Sequence, residues 1–151
     1  MTLDPNEVHA EGSVRIAASM DAVFKFISNP EVRLDAGSPL EVHIETQGEY
    51  VLGSRYSGEL EIAGRVLRYE ARTSVHEPPT RLVVELEGDF SGEQVFSLVE
   101  DSNITRLDYD LQYSVPPELP SYYREEPTRT RFAETLVSQT LANIQAALER
   151  E

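Results

Sequence analysis

Residues 131–149 read RFAETLVSQTLANIQAALE. Placed at about 100° per residue, Ala133, Leu136, Val137, Leu141, Ile144, Ala147 and Leu148 fall in one apolar stripe, with Arg131, Glu134, Thr135, Ser138, Gln145 and Glu149 opposite. One polar residue, Thr140, sits in the middle of that stripe. An amphipathic helix must lay its apolar face on another element, so the fold turns on what the preceding chain offers it.

Ahead of the helix, strand-like segments recur over Leu40–Thr46, Ser54–Ile62, Arg65–Val75, Arg81–Glu87, Glu93–Val99 and Thr105–Val115. Turn chemistry separates them: Gly48, Gly53, Ala63-Gly64, Glu77-Pro78-Pro79, Gly88-Asp89 and Asp101-Ser102-Asn103. Such a run predicts an antiparallel meander, and the proline-rich stretch from Pro116 to Pro127 predicts a connector. A further strand is predicted over Glu7–Ala17, where Val8, Ala10, Gly12, Val14 and Ile16 alternate with His9, Glu11, Ser13 and Arg15. A short helix follows: Ser19 stands at the N-cap position, Met20, Val23, Phe24 and Ile27 share a face, and Asn29-Pro30 stop it. The expected architecture is α+β: a curved seven-stranded antiparallel sheet wrapped around the long C-terminal helix, with a short helical segment after strand one.

Composition narrows the function. At 151 residues the chain fits one domain, 1–151, and its 40% hydrophobic and 26% charged content is that of a globular protein. The 27 acidic side chains against 13 basic ones give a formal charge of -14, which repels phosphate backbones and anionic lipid surfaces. Nucleic acid and membrane insertion are therefore not expected as partners. With no cysteine, thiol catalysis, disulfides and thiolate metal sites are excluded. Met1 to Asp4 carries no leader pattern and no apolar run approaches the ~18 residues of a membrane span, so a cytoplasmic location is expected. Monomer and homodimer both stay open.

Strand parity predicts what faces the interior. Tyr56, Gly58, Leu60 and Ile62 share one face, as do Leu67, Tyr69, Ala71, Thr73 and Val75, then Leu82, Val84 and Leu86, then Leu107, Tyr109, Leu111 and Tyr113. In the sixth strand Phe96 and Leu98 compete with Val95 and Val99. Charges such as Arg68, Glu70, Arg72, Asp108 and Asp110 take the opposite face. The expected cavity lining is Tyr56, Tyr69, Thr73, Phe96, Tyr109, Tyr113 and Thr140: an oily surface dotted with hydroxyls, suited to a neutral, hydrophobic ligand. Each tyrosine also serves to fill a concave sheet face, and Thr140 has the carbonyl of Leu136 within reach of its hydroxyl.

His9, His43 and His76 lie on separate segments, His9 and His43 at outward positions and His76 in a turn, so no metal site is expected. No cofactor motif is present, since no glycine-rich phosphate loop emerges. Arg65 is placed where its head reaches water at a cavity mouth, and Tyr122, Tyr123 and Arg124 in the stretch SYYREEP are placed as a gate or an ordinary connector.

These stretches resemble a known family. SVRIAASMDAVFKFISNPE (13–31), VLGSRY (51–56), SVHEPPTRLVVELEG (74–88), FSLVEDSNITRLDYDLQYSVP (96–116) and the terminal helix are similar to the START and Bet v 1-like superfamily, in its polyketide cyclase/dehydrase and lipid-transport branch. The resemblance implies a helix-grip fold that holds a lipid, isoprenoid or polyketide-like molecule between helix and sheet. It equally admits an aromatase/cyclase-like enzyme in the same cavity, with Tyr69, Tyr109 or Tyr113 donating to an enolate oxygen. A protein-interaction module using the acidic exterior is the remaining alternative.

Overall fold

The computed structural model describes residues 7–28, 41–44, 55–62, 65–89, 91–114 and 128–149. The strands are β1 (Glu7–Ile16), β2 (Glu41–Ile44), β3 (Arg55–Ile62), β4 (Arg65–Glu77), β5 (Arg81–Gly88), β6 (Gly92–Asp101) and β7 (Ile104–Ser114). The helices are α1 (Met20–Ile27) and α2 (Thr128–Glu149). The connector from Pro116 and the SYYREEP stretch lie outside the described residues, as do Asn29 and Pro30.

From β2 to β7 neighbours in sequence pair antiparallel, and β1 pairs with β7, giving the order β1-β7-β6-β5-β4-β3-β2. The result is an α+β helix-grip fold, an open antiparallel sheet with a C-terminal helix. At the start of α1 the Ser19 hydroxyl accepts a hydrogen bond from the Ala22 amide at 3.2 Å, and Asp21 lies in the first turn, as the sequence led us to expect.

The predicted stripe of α2 is the buried one: Ala133, Val137, Leu141 and Ile144 enter the core, with Leu136 and Leu148 half-buried beside them. The helix packs chiefly on β1 and less on β7. Gly12 makes that approach possible, because a Cβ on it would stand 3.0 Å from Val137 Cγ1 and 3.2 Å from Leu141 Cδ1. The polar margin of α2 is also used. Gln145 Nε2 donates to the Arg15 carbonyl at 2.8 Å and Glu149 Oε2 accepts from the Ala17 amide at 3.0 Å, so the helix satisfies backbone groups where β1 ends.

Two departures from simple strand alternation matter. Thr73 pairs with Val84, but Val75 pairs with Val83 and His76 with Leu82, so Ser74 forms a β-bulge. An extra residue flips the pleat beyond it. Val75, expected inside, leaves the inner row, and His76, expected in a solvated turn, takes an inner position opposite Leu82. The second departure resolves β6. Phe96 pairs with Tyr109 and Leu98 with Leu107, all buried, so Val95 and Val99 belong to the other face. That register also turns Gln94 inward, a residue the sequence did not single out.

The outer face is an ion-pair lattice: Arg15–Asp101 at 3.2 Å, Arg55–Glu70 at 3.4 Å, Arg72–Glu85 at 2.5 Å and Arg106–Asp108 at 3.3 Å, all exposed. Exposed pairs of this kind contribute at most ~1 kcal/mol each, so the fold rests on the apolar inner face.

Candidate functional site

The site is built from rows that run across the sheet. One inner row is Gly12, Tyr109, Phe96, Leu82 and His76; the next is Ala10, Leu111, Gln94, Val84 and Thr73. Of the residues expected to line a cavity, Tyr69, Thr73, Phe96 and Tyr109 are buried on this face. Tyr113 is half-buried at its margin opposite Gly92, and Thr140 is half-buried on α2. Tyr56 belongs to β3, with its side chain outside the described ones, and so does that of Arg65.

Phe96 and Tyr109 form the centre. Their rings stack across the β6–β7 ladder with centroids 4.5 Å apart and planes within 5°. Stacking fixes where the phenol oxygen ends, and Gln94, diagonal to Tyr109 on the same face, donates to it from Nε2 at 2.8 Å. The other end of that carboxamide, Oε1, is buried with no hydrogen-bond partner among the described residues. Leaving a buried carbonyl unanswered costs about 1–3 kcal/mol. Turning the amide over would only exchange the problem, leaving an N–H without an acceptor.

A second such atom lies at the far end of the first row. The His76 ring meets Phe24 of α1 edge-on, centroids 5.2 Å apart at 68°, and its Nε2 is buried without a hydrogen-bond partner among the described residues. Ser28 Oγ, just past the end of α1, is in the same condition. By contrast the buried Thr105 hydroxyl donates to the Ala18 carbonyl at 2.7 Å, as an ordinary structural hydroxyl does. Among the described residues, the inner positions from Leu67 to Thr73, Leu82 to Leu86, Gln94 to Leu98 and Leu107 to Leu111 carry no Asp, Glu, Lys or Arg. This surface is apolar with a few neutral polar groups, and its described inner positions offer no fixed charge.

A different opening runs along the edge of β1 beside α2. This cleft, about 520 Å3, is lined by His9, Glu11 and Ser13 of the strand and Glu134, Ser138 and Gln145 of the helix, with Ala10 and Gly12 at its floor. Val14, Val137, Leu141 and Ala142 line it too, so it is mixed polar and apolar, and it faces solvent. Next to it His9 Nε2 lies 2.8 Å from Asp110 Oδ1, and the ligand atoms of His9, Glu11 and Asp110 lie within 4.8 Å of one another. The sequence placed His9 outward, correctly, but could not see its cross-strand neighbour.

No family model and no curated protein matches the chain. Solved structures do. A START superfamily protein from Mycobacterium smegmatis superposes with a TM-score of 0.74 at 20% identity, covering 93% of this chain and 97% of the other. An aromatase/cyclase, Zhui, from a Streptomyces species gives a TM-score of 0.69 at 17% identity, covering 95% and 94%. A Thermus thermophilus protein gives 0.69 at 20% identity, covering 93% and 98%. The chain is a helix-grip protein. Its fold, more narrowly, is that of the START and Bet v 1-like superfamily.

Proposed function

We propose that residues 1–151 form one ligand-binding domain that holds a hydrophobic small molecule, of lipid, isoprenoid or polyketide-like character, between α2 and the inner faces of β4 to β6. One observation carries the reading. On a buried face whose described inner positions carry no Asp, Glu, Lys or Arg, one buried polar atom each of Gln94 and His76 has no hydrogen-bond partner among the described residues. A fold selected for stability alone would replace them with apolar groups of the same shape at little cost. The fold likeness to a START superfamily protein and to an aromatase/cyclase agrees with this use of the interior.

Affinity would come from apolar burial at ~25 cal/mol per Å2, with hydrogen bonds to Gln94 and its neighbours fixing orientation. A thermal-shift panel of fatty acids, isoprenoids and aromatic polyketide-like compounds tests it. A true ligand at a hundred times its Kd stabilises the fold by about 2.7 kcal/mol. A flat response across the panel would remove the binding reading.

A further inference from the structure

We propose that His9 and Glu11 of β1, together with Asp110 of β7, form a surface site for a divalent transition-metal ion, with zinc the best match to the donor set. His9 Nε2 lies 2.8 Å from Asp110 Oδ1, and one ligand atom from each of the three residues falls within 4.8 Å of the others. Glu11 and Asp110 face each other directly across the β1–β7 ladder, and His9 stands two residues along β1 on the same outer face. Two paired strands thus supply the set, and the ladder between them fixes the spacing of its backbone anchors. Ligand atoms that share one zinc ion stand about 3–3.5 Å apart, given bond lengths of ~2.0–2.2 Å. The His9–Asp110 pair is already close to that, and only the exposed Glu11 side chain has to swing in. Room is not limiting either: the His9 and Asp110 side chains are 55% and 42% exposed, so an ion reaches them without opening the fold.

Charge sets these residues apart from the ion pairs elsewhere on the outer face. Glu85 and Asp108, for instance, lie against Arg72 and Arg106. Asp110 instead has Glu11 on one side and Val95 on the other, and the adjoining outer row is His9, Gln112 and Glu93. Neither row holds an arginine or a lysine. Like charges directly opposed across a ladder destabilise it, and a cation held between the two carboxylates removes that repulsion. The histidine decides which cation. Carboxylates and water alone suit magnesium or calcium, whereas an imidazole nitrogen favours zinc and its transition-metal neighbours. The metal takes the place of the proton that Nε2 and Oδ1 share, and three protein ligands leave at least one coordination position to water. The three histidines of the chain lie on separate segments, but this set needs only one of them, completed by two carboxylates from neighbouring strands.

Calorimetric titration of the full chain with zinc chloride, in a buffer that does not bind metal, tests the site. One zinc ion per chain is expected, with magnesium and calcium at least ~10-fold weaker. Losing a group that merely supports a metal ligand costs about 10–100-fold in affinity, so His9→Gln, Glu11→Gln and Asp110→Asn should each weaken zinc by at least ~10-fold. Glu93→Gln removes the same charge from the adjoining row without removing a ligand, and should leave Kd within about 2-fold of the parent. All four positions are on the outer face, and circular dichroism checks that each variant is folded. Absence of saturable zinc binding would overturn the site, leaving His9–Asp110 an ordinary cross-strand hydrogen bond. Equal affinities for zinc, magnesium and calcium, or an equal loss in Glu93→Gln and Glu11→Gln, would reduce it to a diffuse acidic surface and overturn it as well. Zinc affinity unchanged in all three ligand variants would place the ion elsewhere.

Discussion

Where β1 meets α2, strand and helix pack directly on each other beside the solvent-facing cleft: Val137 and Leu141 lie against Gly12, and Gln145 and Glu149 answer the backbone at Arg15 and Ala17. Farther across the inner face, β4 and β6 carry an imidazole nitrogen and a carboxamide end that no described residue answers. The helix grips one edge of the sheet. The remaining inner surface is buried and apolar, yet two of its polar atoms have no hydrogen-bond partner among the described residues.

The sharpest way to break this comparison is to weaken the grip. Ile144→Ala removes a fully buried side chain from the gripping face of α2 and should cost about 2–5 kcal/mol in urea denaturation. A loss below ~1 kcal/mol would mean that α2 does not hold the fold shut. Next in size, Gly12→Val forces a branched side chain into a 3.0 Å gap and should cost about 1–3 kcal/mol. The smallest effect follows on the other side if the proposed ligand space borders β4: Ala71→Val adds the same kind of bulk there and should then cost less than Gly12→Val. Equal penalties for the two valines would show both sides packed alike, and the space proposed for a ligand would be gone.

What could be read in the sequence follows the same division. The α2 stripe, the Ser19 cap and the parity of β5 and β7 were legible because charge alternates with apolar residues there, so burial leaves a periodic trace. Parity failed where the trace carries no information. Ser74 sits between Thr73 and Val75, and nothing in their chemistry distinguishes an even pleat from a bulge; only pairing to Val83 and Leu82 reveals it. His76 looked like a turn residue because prolines follow it closely, yet β4 runs on to Glu77. Gln94 was invisible for another reason. In β6 both faces carry large apolar residues, and the choice between them is made by Leu107 and Tyr109 on the neighbouring strand. The polar atoms that define the candidate site thus sit at the positions where local pattern loses its hold and tertiary register decides.

The sheet order carries a consequence for how the chain is made. Each hairpin from β3 to β7 joins segments that leave the ribosome in succession, but Val14 waits for Leu107 and Gly12 for Val137. The nascent β1 is therefore a strand without a mate through most of synthesis, a template for stray pairing. Glu7, Glu11 and Arg15, set among the apolar positions of β1, interrupt with charge a segment that would otherwise favour stray pairing.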